Sequence, residues 1–290
     1  MSFSIITPSY NMLDFLKLCV RSVRDQGSDL LEHFVIDAQS NDGTIEWAKD
    51  KKDITFVSEK DKGMYDAINK GLKLSRGEYI AYLNCDEQYL PGTLKYVKQY
   101  FDDHPDVDML FGDALLTKPN GSLLAYRKGY QPRYSYIMAS HLYVLSGTMF
   151  FRRKIVEQEF LFSDQLWDVG DEDFVVRLLK HGFKMRHVSR YLTVFIITGF
   201  NLSYGERAQG ERKELWNQAP KWVKYFNYGI NAVRLGEKFL SGAYFQKFPL
   251  EYSLYTPVSQ NQRQTFTVQH STYKWPKEFP SDLNSPLQEN

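Results

Sequence analysis

Four short stretches place polar side chains where an apolar run stops. They are Thr7-Pro8-Ser9-Tyr10-Asn11, Asp37 with the Ala-Gln-Ser-Asn-Asp-Gly-Thr that follows it, Asp61-Lys62-Gly63, and Asn84-Cys85-Asp86-Glu87. Carboxylates and amides grouped in this way accept hydrogen bonds from the N–H and O–H groups of a base and a ribose. An aromatic such as Tyr10 can stack on the base. The last stretch adds a second chemistry. In an extended chain Asn84 and Asp86 point the same way, about 6.6 Å apart, and can share one cation or its water shell. Hard oxygen ligands suit Mg2+ or Mn2+, which take one or two carboxylates together with phosphate oxygens. The plainer alternative is that each stretch is a polar turn after a strand. Asp37 would then cap the turn behind it, and Asp86 would be a solvated turn carboxylate.

Such residues need a scaffold that brings four strand ends to one edge, and the pattern of the chain supplies it. Strands are expected over Ser2 to Thr7, His33 to Asp37, Ile54 to Ser58, Tyr79 to Leu83 and Val107 to Phe111. Between them, helical spacing runs over Met12 to Arg24, Thr44 to Lys51, Met64 to Leu74 and Thr93 to Phe101. Repeated β-α units of this length imply an α/β fold with a mostly parallel sheet covered on both faces. Open sheets of that kind bind ligands at their carboxyl edge. After Gly112 the rhythm changes to a hairpin around Asn120-Gly121, a strand-to-helix piece at Phe150 to Val156 and a helix at Asp171 to Lys180. Beyond Glu211 the chain is aromatic and basic, and Lys277 to Asn290 reads as a flexible polar tail.

The bulk numbers exclude several classes. The 290 residues are 43% hydrophobic, 24% charged and 16% aromatic, a globular composition with ample core. A formal charge of +1 gives no global field for nucleic acid. Two cysteines, Cys19 and Cys85, are too few for a disulfide framework and favour a reduced, cytoplasmic setting. The apolar stretch Leu192 to Phe200 is too short to span a bilayer, and Phe3-Ser4-Ile5-Ile6 reads as a strand, so no signal peptide is expected. The loop after the first strand has no glycine, against a dinucleotide fold, and there is no Walker loop. A bound diphosphate would then be neutralised by a metal. There is no Cys/His cluster with zinc spacing.

"SIITPSYN", "VIDAQSNDGT", "EKDKGMYDAINKGL", "RGEYIAYLNCDE" and "GDEDFVVRLLKHGFK" occur in this order over Ser4 to Lys184. Together they resemble the inverting nucleotide-sugar glycosyltransferases of family 2, which have the GT-A fold. The resemblance implies that Thr7, Pro8, Tyr10 and Asn11 line the nucleotide site, that Asp37 contacts base or ribose, and that Asp61 and Gly63 lie beside the nucleotide. Asp86 would bind the metal, Mn2+ or Mg2+, on the sugar diphosphate. Asp171, six residues before Arg177, matches the catalytic base. Two departures stand out. Asn84 occupies the first place of the family's Asp-x-Asp, where it either coordinates with one less charge or faces the ribose. The second acidic motif reads Gly170-Asp171-Glu172-Asp173, which leaves Glu172 and Asp173 as stand-ins.

The implied layout is a Rossmann-like GT-A domain with residues 1–112 as its nucleotide-sugar-binding half and 113–210 as its acceptor and catalytic half. A helical, aromatic C-terminal extension, 211–276, and the tail, 277–290, follow. The activity the resemblance implies is transfer of a sugar from a UDP-linked donor to an acceptor hydroxyl with inversion, in surface polysaccharide or glycolipid biosynthesis. The alternative is a non-catalytic nucleotide-sugar-binding or scaffold subunit, supported by Asn84. Partners are the donor and a saccharide or lipid-linked saccharide acceptor. Asp171 has a plainer reading as a helix N-cap, and His141 as a structural histidine beside its reading as an acceptor contact. Asn69 is a further candidate side chain, and Asp66 with Lys70 reads as a surface pair. Trp216 to Phe248 carries five basic residues against one acid, Glu237, among aromatics. That pattern suits a packed helical pair or peripheral contact with the inner face of a membrane.

Overall fold

The fold was described from a computed structural model covering residues 2–27, 31–198 and 206–276. The tail expected over 277–290 lies outside the described residues. The first half follows the expected alternation: β1 (Phe3–Ser9), α1 (Leu13–Arg24), β2 (Leu31–Asp37), α2 (Thr44–Ala48), β3 (Thr55–Ser58), α3 (Met64–Leu74) and β4 (Tyr79–Tyr82). The second half runs β5 (Glu87–Tyr89), α4 (Thr93–Asp103), β6 (Met109–Thr117), β7 (Leu123–Arg127), α5 (Tyr134–Ala139), β8 (Phe150–Arg152), α6 (Lys154–Glu157), α7 (Gly170–Lys180) and β9 (Met185–Ile196). Among the described residues, nine strands form one sheet in the order β3-β2-β1-β4-β8-β6-β9-β5, with β7 paired to β6. The pairs among β1 to β4 are parallel, and β8 runs antiparallel between β4 and β6.

Alternation along each strand feeds two cores. Ile6, Ile80, Tyr82, Met109 and Phe111 pack with Ile68 and Leu72 of α3 and Phe174 and Val175 of α7 on one face. Phe3, Ile5, Tyr79, Ala81 and Leu110 pack with Cys19 and Val23 of α1 and Val97 and Phe101 of α4 on the other. Each fully buried aliphatic side chain contributes about 1.5–3 kcal/mol, so the period-two pattern fixes which residues face which helix layer. Both cysteines are buried and unpaired with each other.

Three features depart from the sequence-based expectation. β6 continues past Phe111 to Thr117, so the boundary expected at 112/113 falls inside one strand shared by both halves. β5 and β9 were not anticipated, and β9 joins β6 in parallel and β5 in antiparallel register. The extension is helical over α8 (Glu206–Asn217), α9 (Lys221–Tyr225) and α10 (Asn227–Leu240). It then ends in a hairpin, β10 (Leu250–Thr256) with β11 (Ser259–Val268), rather than in further helix.

Candidate active site

A cavity of about 900 Å3 opens along the carboxyl edge of β1 to β4. Pro8, Ser9 and Tyr10 line it where β1 ends, and Tyr10 is 62% exposed. Their neighbours hold this wall from behind. The buried Thr7 hydroxyl pairs with His33 Nε2 at 2.8 Å. Asn11 takes a left-handed φ of 49°, which asparagine tolerates. Its N–H donates to Ser40 Oγ at 2.9 Å, and its Oδ1 accepts the Asn41 N–H at 2.8 Å. It thereby fastens the loop after β1 to the loop after β2.

Asp37 is fully buried and does not reach the cavity wall. It accepts the Ser40 N–H at 3.0 Å, the Ser40 hydroxyl, and the Ser58 hydroxyl at 2.8 Å. It shapes the loop that brings Ala38 to the cavity. Asp61 does line the cavity, with Lys60 and Gly63 beside it. Its Oδ1 accepts the Gly63 N–H at 2.9 Å, and burial raises its pKa. Gly63 has φ 127°, and a Cβ there would stand 3.1 Å from the Trp167 ring. The backbone conformation therefore favours glycine, and a Cβ would make the Trp167 ring give by a few tenths of an ångström.

The end of β4 corrects the extended-chain picture. The Glu87 N–H donates to the Asn84 carbonyl at 2.9 Å, which closes a turn, so Asn84 and Asp86 are not related by a strand repeat. Both still line the cavity. The Asn84 N–H donates to Glu87 Oε2 at 3.0 Å. Burial pushes Asp86 up to about 6, and burial with the Asp86 charge pushes Glu87 up to about 8. Ser9 Oγ and Asn84 Oδ1 are buried here with no hydrogen-bond partner among the described residues. Two orphaned oxygens beside a desolvated carboxylate are a poor resting arrangement for protein alone. They fit a hard cation bound through Asp86 and an amide oxygen, with the remaining ligands supplied by a diphosphate.

The opposite wall comes from the start of α7. Val169 precedes this helix without a side-chain cap, and Asp171 lies within the first turn, so Asp171 is not the N-cap. Its Oδ1 accepts the Glu172 N–H at 2.8 Å and the Tyr65 hydroxyl at 3.3 Å, while the Tyr65 oxygen accepts the Asp171 N–H at 3.2 Å. A Cβ at Gly170 would come within 2.6 Å of the Tyr65 ring, so glycine lets the tyrosine reach the carboxylate. Burial raises the Asp171 pKa, which makes it a better proton acceptor than a free carboxylate. Glu172 also lines the cavity, its carboxylate accepts the Leu142 N–H at 3.2 Å, and burial pushes it up to about 7. Asp173 turns away to Arg177 at 2.7 Å, and Arg177 also donates to the Leu161 carbonyl.

Two further candidates have defined hydrogen bonds. Asn69 clamps the backbone of Phe162 through bonds of 2.8 and 3.0 Å and is structural. His141 lines the cavity, with Nδ1 2.8 Å from Ser140 Oγ. Asp66 and Lys70 form the expected pair at 3.4 Å. The cavity also uses residues that strand-end reasoning missed: Tyr65, Arg127, Trp167, Arg207, Arg212 and Trp275. Arg207 donates to Asp168 at 2.9 Å and lies 4.8 Å above the Trp167 ring. Among the described residues, no group of three His, Cys, Asp or Glu side chains forms a protein-only metal centre.

Comparison with known proteins agrees with this geometry. The sequence profile of glycosyl transferase family 2 matches residues 4–160. An uncharacterized glycosyltransferase of Methanocaldococcus jannaschii is 26% identical over 205 residues, 67% of this chain and 70% of that protein. The PGL/p-HBAD biosynthesis glycosyltransferase of Mycobacterium tuberculosis is 29% identical over 124 residues, 41% of this chain and about half (48%) of that protein. Among solved structures, TarS of S. aureus in complex with UDP-GlcNAc superposes with a TM-score of 0.59 at 19% identity, over 83% of this chain and 73% of TarS. The mannosyltransferase PcManGT of Pyrobaculum calidifontis, in complex with GDP-Man and Mn2+, gives 0.52 at 16% identity, over 81% and 75%. At these identities the structural matches establish a shared GT-A fold. The chain belongs to glycosyl transferase family 2 and is a glycosyltransferase.

Proposed function

We propose that this enzyme moves a sugar from a UDP-linked donor to an acceptor hydroxyl with inversion, in surface polysaccharide or glycolipid biosynthesis. The observation that carries the reading is one cavity lined both by the strand-end group Asn84 and Asp86 and by the half-buried carboxylate Asp171. Tyr10 and Pro8 bind the base, Thr7, Asn11 and Asp37 hold the loops that shape its pocket, and Asp61 with Gly63 borders the ribose. Lys60 and Arg207 bring positive charge to the diphosphate. Asn84 and Asp86 would hold Mn2+ or Mg2+, which supplies charge neutralisation to the leaving diphosphate when bound. Asp171 takes the proton from the acceptor hydroxyl as its oxygen bonds to the anomeric carbon, and the bond to the diphosphate oxygen breaks with its electron pair. Tyr65 orients Asp171 during this step. Residues 1–112 serve the donor, and 113–210 supply most of the acceptor side.

The same reading places the enzyme in the cytoplasm, at the inner face of the membrane. No helix among the described residues is long and apolar enough to cross a membrane. However, α9 and α10 leave Tyr225, Tyr228 and Leu240 more than 80% exposed, beside Lys221 and Lys224. Aromatic and basic residues interleaved in this way suit peripheral contact with anionic lipid and a lipid-linked acceptor.

Calorimetric titration with UDP-sugars tests the donor site. Binding is expected with Mn2+ and should weaken about tenfold or more in EDTA or in Asp86→Ala, a change of ~1.4 kcal/mol or more. Equal affinity in Mn2+ and EDTA would overturn the metal assignment.

A further inference from the structure

The polarity of α10 runs opposite to that of an ordinary surface helix, which turns its apolar stripe to the protein and its charges to water. Asn227, Asn231, Arg234 and Lys238, spaced four, three and four residues apart, form the half-buried stripe that faces the protein, with Glu237 beside it. These groups are satisfied there. Asn231 Nδ2 donates to the Ala139 carbonyl at 3.0 Å and to Asn227 Oδ1 at 2.7 Å. Arg234 donates to Asn231 Oδ1 and to the Tyr130 hydroxyl, both at 3.0 Å. Glu237 accepts the Arg133 Nε–H at 2.9 Å and the Tyr136 hydroxyl at 2.8 Å. Lys238 lies 4.5 Å over the Tyr244 ring.

The exposed positions of α10 carry no charge. One row is Tyr228, Ala232, Leu235 and Phe239, Val233 and Leu240 lie next to it, and glycines fill the rest. No residue of this helix is fully buried, so its polar stripe holds it to the protein and its apolar side chains stay in water. A contiguous apolar face of this kind marks an interaction or membrane site.

The surroundings of the face indicate what covers it. Trp222, Tyr225 and Phe226 of the preceding turn are exposed, as is Phe245 after α10. Lys221, Lys224 and Lys247 are exposed around them. Glu237 is the one acid within 221–247, and Arg133 already holds it. A second copy of the chain would therefore bring the same cations and no free carboxylate to meet them. A bilayer matches every class of side chain present. Its phosphates suit the lysines, its headgroup layer suits tryptophan and tyrosine, and its acyl chains suit leucine, valine and phenylalanine.

We infer that α10 is an inverted amphipathic helix that lies in the plane of a bilayer with Val233, Leu235, Phe239 and Leu240 in the acyl region. This rests on the membrane reading of α9 and α10 and goes further, because the grip is hydrophobic insertion rather than attraction to anionic lipid alone. The test is flotation of the full chain on vesicles of phosphatidylcholine alone, at about 1 M salt, where the Debye length falls to ~3 Å. The protein is expected to float. Val233→Asp/Leu240→Asp should cut the partition at least about tenfold, since a carboxylate in the acyl region is costly. Both positions are exposed, so the unfolding midpoint should match that of wild type. An environment-sensitive fluorophore on Val233→Cys should brighten when phosphatidylcholine vesicles are added. Cys19 and Cys85 are buried and leave that position to the label. If the double Asp variant fails to fold, wild-type flotation and the label still decide. Binding to phosphatidylglycerol vesicles at low salt, with none to phosphatidylcholine at about 1 M salt, overturns insertion and leaves the peripheral reading standing. Binding to neither removes both. A fluorophore already shielded in lipid-free buffer assigns the face to protein and overturns the inference, and sedimentation then separates a second copy from the chain's own tail.

Discussion

Asp171→Asn separates chemistry from architecture. The carboxylate accepts two hydrogen bonds at Oδ1, from the Glu172 N–H and the Tyr65 hydroxyl, and an amide oxygen in the same place can accept both. Hydrogen bonds to a charged acceptor are worth about 1 kcal/mol more than neutral ones. That loss is offset by removing a desolvated charge from a region that also holds Asp86, Glu87 and Glu172. Because Asp171 is not the N-cap of α7, the start of that helix does not depend on it. Unfolding free energy should therefore change by no more than about 1 kcal/mol in either direction. Donor affinity should also hold, since Asp171 meets the acceptor rather than the nucleotide. Turnover should not. Losing a general base costs about 10²- to 10⁴-fold, or ~2.7–5.5 kcal/mol of barrier. The assay is release of nucleoside diphosphate from a UDP-sugar, with calorimetric affinity and a denaturation curve on the same protein. Near-normal release with intact folding would refute the role of Asp171. Glu172 would then be the next candidate, because Asp173 is committed to Arg177.

Two other outcomes follow from the same geometry. Glu172 keeps its proton to about pH 7 when folded, against an ordinary value of 4.5, so the stability it confers is complete below about pH 4.5 and is lost as pH rises through 7. At ~1.4 kcal/mol per pH unit the upper bound is roughly 3 kcal/mol. Denaturation at about pH 5 and pH 8 should show wild type losing ground to Glu172→Gln at the higher pH, and an unchanged gap would refute the assignment. The exposed aromatics of α9 and α10 predict co-flotation with anionic liposomes at low salt, weakened when Lys221 and Lys224 are both changed to Gln. Protein left at the bottom of the gradient would remove the membrane contact.

β1, β2 and β4 were legible because they are largely buried and read as mostly apolar runs that stop on polar residues, and the half-exposed edge strand β3 through its short β-branched and aromatic run. Their ends identified the cavity edge, and Pro8, Tyr10, Asp61, Gly63, Asn84 and Asp86 do line it. Proximity in sequence did not reveal which neighbours face inward. Thr7 and Asp37 are turned into the protein, where His33, Ser40 and Ser58 satisfy them, and Asn11 ties two loops together. β9 was hidden because polar and charged residues such as Arg186, Ser189 and Arg190 interrupt its apolar positions. The hairpin β10–β11 was hidden because the Gln-Asn-Gln-Arg-Gln run of its second strand is largely exposed. Arg127, Trp167, Arg212 and Trp275 come from elements far apart in the chain, and only tertiary packing brings them to one cavity.

The central claim is that this cavity turns over a nucleotide-sugar. The direct measurement is incubation of the purified protein with UDP- and GDP-linked sugars and Mn2+, with chromatographic quantification of the free nucleoside diphosphate. The account predicts release from a UDP-sugar even without acceptor, as water takes the place of the acceptor hydroxyl beside Asp171. Tight binding of a UDP-sugar with no diphosphate released, alone or with any saccharide acceptor, would contradict it.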